Sequence, residues 1–160
     1  MSLAILMSRA QLGTAAPLVT IEVFLSGGLP SFSIVGMAET AVRESKDRVR
    51  SALISSGFRW PQERITVSLA PADMRKSGGR FDLPIALGIL AASRQLAVEA
   101  FQGTEFYGEL ALDGELVLPH LSTLIYVVDT AALDHRGREQ QASPGSSPPG
   151  AREQQGAQQE

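Results

Sequence analysis

Residues 65–87 have the sequence ITVSLAPADMRKSGGRFDLPIAL, in which a strand, a glycine-containing loop and a helix are predicted to follow one another. The first residues alternate apolar and polar side chains, which is typical of a half-buried strand, and Ala70-Pro71 ends it. Asp82 is a favourable N-cap and Pro84 in the first turn loses no hydrogen bond, so a helix is predicted from Asp82 to about Leu96. That helix is apolar nearly all round, which predicts that it is buried.

The residues before this unit predict a hairpin and an amphipathic helix. Residues 18–25 alternate and are followed by the turn sequence SGGLP at 26–30, so a short strand at 32–34 is predicted to pair with the first. A three- and four-residue spacing then indicates a helix with one inward face, formed by Val42, Ser45, Val49, Ala52 and Leu53. Glu39 is placed in its first turn, and Gly57 is predicted as its C′ residue.

The residues after the central unit predict a second hairpin. Asp113-Gly114 supplies the positive φ angles of a type I′ turn between residues 108–112 and 115–118. A last strand is predicted at Leu124–Val128. Strands, helix, strand, helix and strands in this order are typical of an α+β or α/β two-layer sandwich, and we expect it to form one domain over residues 1–133.

The C-terminal segment, residues 134–160, differs sharply in composition from the rest. From Arg136 onward no residue is more apolar than alanine or proline. Such a segment cannot bury enough surface to offset the entropy lost on ordering. A disordered polar tail is therefore predicted.

Composition excludes several classes of protein. With 44% hydrophobic and 19% charged residues, the chain has the balance of a globule with a core. The absence of cysteine excludes disulfides and thiolate metal sites, and two histidines are too few for a histidine-rich metal centre. The first residues do not have the pattern of a signal peptide, and no apolar stretch approaches the roughly 20 residues that span a bilayer. We expect a cytoplasmic protein without metal ligands or a membrane partner.

Six ordered stretches carry a family resemblance: APLVTIEV (16–23), GLPSFSIVG (28–36), AVRESKDRVRSAL (41–53), ITVSLAPAD (65–73), GGRFDLPIAL (78–87) and GELALDGEL (108–116). Together they closely resemble the N-terminal, Mg-chelatase-subunit-I-like domain of the ComM/YifB family of AAA+ ATPases. The resemblance implies a Lon-protease-domain-like fold, of the ribosomal protein domain 2-like type. After Leu118 the sequence departs from the family pattern, so the C-terminal end of that fold is expected to be incomplete.

The resemblance also implies a biological setting. Full-length members of that family carry an AAA+ ATPase, form hexamers and are implicated in recombination of incoming DNA through branch migration during natural transformation. A P-loop requires Gly-Lys-Ser/Thr, whereas the two lysines of this chain, Lys46 and Lys76, follow Ser45 and Arg75. The ATPase domain is therefore expected to be absent, with no cofactor in this chain and ATP and Mg²⁺ confined to that missing domain. The pair Gly78-Gly79 is interpreted as a structural turn.

Likeness to the Lon domain raises the question of a Ser–Lys peptidase. In that chemistry a lysine must lie within hydrogen-bond reach of the serine to accept its proton. The place that matches the Lon serine reads Arg80-Phe81-Asp82, and residues 109–160 contain no lysine. We expect no catalytic residue and no enzymatic activity in this chain.

Charge is distributed unevenly along the sequence. Residues 43–80 hold nine basic and four acidic side chains, a balance of +5, whereas residues 82–129 hold one basic and seven acidic ones, a balance of −6. This split is typical of an anion-binding face on an acidic protein, or of ordinary surface charge that happens to cluster. The candidate DNA-contacting residues are three on one side of the first helix and three in the glycine-containing loop: Arg43, Lys46, Arg50, Arg75, Lys76 and Arg80.

Two functional hypotheses follow from these cations. In the first, they bind DNA phosphates, because backbone-directed binding needs little more than such charges. In the second, they pair with acidic residues or face a neighbouring subunit, so that the domain is a scaffold that forms one tier of a hexameric ring without DNA contact. The sequence leaves both open.

Overall fold

A computed structural model describes residues 1–117 and the short strand Val128–Asp129. The strands are β1 (Ser2–Arg9), β2 (Leu18–Ser26), β3 (Ser31–Val35), β4 (Arg64–Ala70), β5 (Thr104–Glu105), β6 (Glu109–Leu110), β7 (Leu116–Val117) and β8 (Val128–Asp129). The helices are α1 (Thr40–Arg43), α2 (Ser45–Ser55) and α3 (Asp82–Ala92). The mixed sheet has the order β3-β4-β2-β1-β5-β8, with β6 and β7 as a separate ribbon. This arrangement agrees with the predicted α+β class, while the Lon-like designation stays a prediction.

Strand β4 is an interior strand of the sheet, as its alternating pattern suggests. It pairs antiparallel with β2 and parallel with β3, so it lies between the two strands that were predicted to form a hairpin. That predicted hairpin is wrong. The five-residue turn at 26–30 is long enough to carry the chain past one intervening strand, a distance of about 10 Å at the usual strand spacing. The inward side chains of β4 are fully buried: Ile65, Val67 and Leu69.

Strand β1 was not predicted from the sequence, because its apolar residues occupy both faces. It pairs antiparallel with β2 from Ser2↔Leu25 to Arg9↔Leu18. Ala4, Leu6 and Ser8 on its inner face are buried, whereas its outward apolar side chains stay exposed: Leu3, Ile5 and Met7. An uninterrupted apolar run has no period of two, so it gives no strand signal of the kind that identified β2 and β4.

The predicted first helix is divided in two. Glu44 ends α1 and precedes α2. The end of α2 is as predicted: Gly57 has φ +81°, its N–H donates to the Ile54 carbonyl at 3.0 Å, and Phe58 N–H donates to the Leu53 carbonyl at 2.9 Å. These two bonds form a Schellman motif, which confirms Gly57 as the C′ residue.

Helix α3 begins differently from the prediction. Asp82 is its first helical residue and makes no capping hydrogen bond, so it is not the N-cap; a 3₁₀ turn at Gly79–Phe81 leads into it. The predicted end at Leu96 is also wrong, because the helix ends at Ala92 and Arg94 adopts φ +58°. Asp82 is fully buried, and its carboxylate binds side chains of α2 instead of its own helix start.

The core lies between the sheet and α3, which packs across β1 and β2, with α2 beside it. Gly88 permits the close approach of helix and sheet, since a β-carbon there would lie 2.5 Å from Val23 Cγ2 and 3.2 Å from Leu6 Cδ1. Both side chains are buried. The helix therefore rests directly on the strand surface at this point.

The ribbon of β6 and β7 confirms the predicted second hairpin but not its turn type. Gly114 N–H donates to the Ala111 carbonyl at 3.0 Å, and Ala111 N–H donates to the Glu115 carbonyl at 2.9 Å. Gly114 has φ +94°, while Asp113 does not have a positive φ, so the loop is a type I turn followed by a glycine bulge. Of the predicted last strand, residues 124–127 lie outside the described part of the chain, as does the predicted tail at 134–160.

Candidate nucleic-acid interface

The glycine-containing loop is tied to the chain segment that precedes α1. Lys76 N–H donates to the Met37 carbonyl at 3.0 Å, and Glu39 N–H donates to the Lys76 carbonyl at 3.1 Å. Ala38 and Lys76 thus form a parallel bridge between the two segments. The basic loop and the start of the basic helices therefore meet, although the two bridged residues, Ala38 and Lys76, are 38 positions apart in sequence.

Lys76 does not belong to the exposed cations, which corrects the sequence hypothesis. Its side chain is fully buried, and its Nζ donates to the Pro71 carbonyl. Burial lowers the pKa of its ammonium, and the charge of Asp73 opposes that shift only in part. A buried ammonium already bonded to the backbone cannot reach a phosphate on the surface, so Lys76 has a structural role in closing the loop.

Two arginines flank the bridge between loop and helix. Arg75 is 75% exposed, and its Nη1 lies 3.8 Å from Glu39 Oε1. Arg43 is exposed as well, and its Nε donates to the Ala38 carbonyl at 3.2 Å. An exposed ion pair at this distance contributes little to stability. Both guanidinium groups thus stand at the surface on either side of residues 37–39.

Two further cations continue along α2. Lys46 and Arg50 are both exposed, and neither forms an ion pair within the described residues. The Arg50 guanidinium lies 5.8 Å from the centre of the Trp60 ring, within the range of a cation–π contact. Four cations therefore form what we call the α1–α2 basic track: Arg43, Lys46, Arg50 and Arg75.

Arg80 is separated from this track. Its Nη2 donates to Gln11 Oε1 at 2.7 Å, so the side chain turns towards the loop between β1 and β2. The six cations named from the sequence thus fall into three groups. Arg43, Lys46 and Arg50 lie on α1 and α2 with Arg75 of the loop near Glu39, Arg80 faces the β1–β2 loop, and Lys76 is buried.

Sequence reasoning missed a buried polar cluster around Asp82. Arg48 Nε donates to Asp82 Oδ2 at 2.6 Å and its Nη2 to Oδ1 at 3.1 Å, while the Ser45 hydroxyl donates to Oδ1. Leu110 N–H adds a longer bond of 3.3 Å, and Arg48 also donates to the Ala41 carbonyl at 2.9 Å. The hydrogen bond to Asp82 raises the pKa of Arg48. The one available signal was Ser45 on the inward face of a helix, with an arginine three residues later.

A second buried carboxylate lies at the strand edge. Glu105 is 1% exposed and accepts both Arg9 Nε at 2.7 Å and Arg9 Nη2 at 2.8 Å. Tyr107 donates its hydroxyl to the same carboxylate. The hydrogen bond from Arg9 lowers the pKa of Glu105, whereas burial and this carboxylate raise the pKa of Tyr107 to about 12. Both Glu105 carboxylate oxygens accept hydrogen bonds and Arg9 also donates to the Ala16 carbonyl at 2.9 Å, so this cluster joins β1 to β5 as a structural contact.

The described residues contain no group of three histidine, cysteine, aspartate or glutamate side chains placed to hold a metal ion. Within the same residues, no helix has the length and apolar character needed to cross a membrane. The surface chemistry that remains is that of exposed guanidinium and ammonium groups, which bind anions.

Comparison with known proteins identifies the family. The model of the ChlI subunit of Mg-chelatase matches residues 21–135. This chain belongs to the ChlI family. It is 61% identical over 116 residues to the competence protein ComM of Haemophilus influenzae, and 56% and 54% identical over the same length to the YifB proteins of Salmonella typhimurium and Escherichia coli. The predicted ComM/YifB membership is thereby confirmed.

The match to these relatives covers 72% of this chain but only 23% of each of their lengths. This chain thus spans about a quarter of the length of these relatives. The other three quarters of each relative lie outside the match, and the activities of the whole relatives belong to those proteins.

Proposed function

We propose that this ChlI-family domain binds DNA through its phosphates, as a non-catalytic DNA-guiding module in recombination of the kind that competence requires. The observation that carries the proposal is the α1–α2 basic track. Of its four cations only Arg75 lies near a carboxylate, at 3.8 Å, within the described residues. Unpaired surface cations supply the sequence-independent part of DNA affinity.

The burial of Arg48 and Lys76 sharpens this proposal. Nine basic residues lie between 43 and 80, but these two are bonded inside the fold, which leaves seven. Four of these seven form the track, three on α1 and α2 and Arg75 in the adjoining loop, so the contact set is smaller than the sequence suggests. Neither ATP nor a metal ion is assigned to this domain.

A scaffold role in a ring of several copies is the second candidate. Acidic side chains share the surface of α1 and α2 with the cations, since Glu39, Glu44 and Asp47 are all exposed. The outward face of β1 adds exposed Leu3 and Ile5. The charged helices and these apolar side chains lie on opposite faces of the sheet, and an exposed apolar face of this kind is a feature of surfaces that contact another protein.

The test is a salt titration of duplex DNA binding, measured by fluorescence anisotropy on the full chain. The variant Arg43→Ala/Lys46→Ala/Arg75→Ala should weaken binding to every duplex alike. It should flatten the log–log salt slope by about 2.7, since each lost phosphate contact removes roughly 0.9. The control Arg64→Ala removes one cation from the start of β4. We expect its log–log salt slope to differ from that of the parent by no more than about 0.9, which is the contribution of one phosphate contact.

The two candidates give different results in this experiment. If the triple variant binds duplex DNA as tightly as the parent, the DNA proposal is wrong. If the same variant also loses a higher oligomer in sedimentation, the track is a subunit interface and the scaffold role is correct.

A further inference from the structure

A groove of about 450 Å³ lies at the end of the sheet where β1 begins and α3 ends. Ser2 Oγ donates to the Ala92 carbonyl at 2.6 Å and marks this end. The groove has the size of small-ligand sites, which range from about 300 to 1,000 Å³. Its polar and aromatic lining includes Arg59, Trp60, Glu63, Ser93, Arg94 and Gln95.

Arg94, which lines the groove, has a left-handed backbone conformation that is unusual for a residue other than glycine. After α3, Arg94 N–H donates to the Ala91 carbonyl at 2.9 Å and Gln95 N–H to the Leu90 carbonyl at 2.8 Å, which is the same Schellman motif that ends α2. At the equivalent C′ position α2 has Gly57, whereas α3 has an arginine with φ +58°. A residue with a β-carbon is disfavoured in this conformation. Such an exception is a reason to look for a function of the side chain, and this side chain lines the groove.

Gln95, the residue after Arg94, binds the backbone of Arg59 with its side-chain amide. Its Oε1 accepts the Arg59 N–H at 2.9 Å, and its Nε2 donates to the Arg59 carbonyl at 2.8 Å. This pair of hydrogen bonds between the Gln95 amide and the backbone of Arg59 ties the segment after α2 to the segment after α3. Arg59 and Arg94 therefore stand on neighbouring walls of one groove, and both are exposed.

Trp60 gives the groove a flat aromatic surface. The ring is half-buried and lies 6.0 Å from Phe32, while the Arg50 guanidinium approaches it at 5.8 Å. An exposed arginine can be displaced, and an indole ring that accepts a planar guanidinium also accepts a nucleobase. Glu63 is the single carboxylate of the lining, so Arg59, Arg94 and Glu63 together leave a net charge of +1.

We propose that this groove binds one nucleotide unit, with its phosphate between Arg59 and Arg94 and its base against Trp60. The proposal rests on the proposed function in taking nucleic acid as the ligand, and it assigns single strands to a site beside the duplex-binding track, whose Arg50 lies against Trp60. The same chemistry would accept a free mononucleotide. The binding test therefore uses both forms.

The chain's single tryptophan is Trp60, so its fluorescence reports on the groove directly. The parent chain is titrated at low ionic strength with a short oligothymidylate and, separately, with dTMP. Saturable quenching by the oligothymidylate is the expected result. If dTMP binds with equal affinity, the groove is a nucleotide site whose ligand is the free nucleotide; if neither ligand quenches the fluorescence, the inference is wrong.

The decisive variant is Arg94→Gly. It removes the side chain and also suits the left-handed backbone, so its melting temperature should be no lower than that of the parent. We expect its Kd for the oligothymidylate to rise about tenfold, the scale of one lost charge-assisted contact. An unchanged Kd would contradict the proposal.

Two further variants separate a specific contact from general charge. Glu63→Gln removes the carboxylate of the groove and should lower the Kd. Arg80→Ala removes one positive charge at the opposite end of β1, roughly 25 Å away, and should leave the Kd within twofold. A rise in Kd for Arg80→Ala equal to that for Arg94→Gly would show that only net charge matters, which would also overturn the proposal.

The groove proposal and the track proposal are refuted by different results. Duplex binding is measured by anisotropy on the same protein preparations. The three residues changed in the triple variant, Arg43, Lys46 and Arg75, do not line the groove, and Arg50, which contacts Trp60, is kept in that variant. Duplex binding without quenching of Trp60 refutes the groove alone. Quenching by the oligothymidylate without duplex binding refutes the track alone.

Discussion

Replacement of Asp82 by alanine should destabilise the fold strongly. The carboxylate is fully buried and accepts hydrogen bonds from Arg48, Ser45 and the Leu110 N–H. Removing one partner of a buried ion pair costs about 3–5 kcal/mol, because the other charge is left without compensation. The Arg48 side chain keeps 21% exposure, so water recovers part of that loss. We therefore expect the free energy of unfolding to fall by about 3 kcal/mol, at the lower end of this range.

A double-mutant cycle measures this coupling. Asp82→Ala, Arg48→Met and the double variant are unfolded with urea, and the transition is followed by circular dichroism. The double variant should lose about 2 kcal/mol less than the sum of the two single losses, because the second change removes a group that the first has already left unpaired. Lys46→Met is the matched control, since Lys46 is exposed on the same helix; its loss should stay within about 0.5 kcal/mol. A loss below about 1 kcal/mol for Asp82→Ala, or strictly additive losses, would refute the reasoning.

Two other predictions follow from the packing and from the second buried carboxylate. Gly88→Ala should lower the free energy of unfolding by about 1–3 kcal/mol, because the new β-carbon would lie 2.5 Å from Val23 Cγ2, and this clash outweighs the higher helix propensity of alanine. Thermal unfolding measures the change, and a gain in stability would contradict the close packing of α3 on the sheet. The folded-state pKa of Glu105 is lowered by Arg9, so its stabilising contribution is present above its unfolded pKa of about 4.3 and is lost as pH falls through the folded value. The difference in melting temperature between the parent and Glu105→Gln should therefore be constant above about pH 5 and shrink at more acidic pH; a difference independent of pH would show that the carboxylate charge is not involved.

Local patterns in the sequence determined several elements of this fold. The alternation in β2 and β4 and the glycine at position 57 act through neighbouring residues only: each strand must turn one face inward, and a helix that ends in a left-handed residue favours glycine there. The family could be identified for the same reason, because its six stretches are ordered blocks of local sequence.

The tertiary structure decided which strands are neighbours and which charges are available. Strand β3 lies beside β4 rather than β2, and its pairing partners come from 33 residues further along the chain. Which cations belong to the basic track was also decided in part by the tertiary structure. In the sequence, Arg48 and Lys76 are two of nine basic residues between 43 and 80, and nothing in their immediate neighbours distinguishes them from the others. Asp82 and the Pro71 carbonyl remove these two from the surface. Periodicity depends on adjacent residues, so the sequence alone determined several of the elements. Burial and pairing depend on contacts between distant segments, so only the folded chain decided which cations remain free to bind.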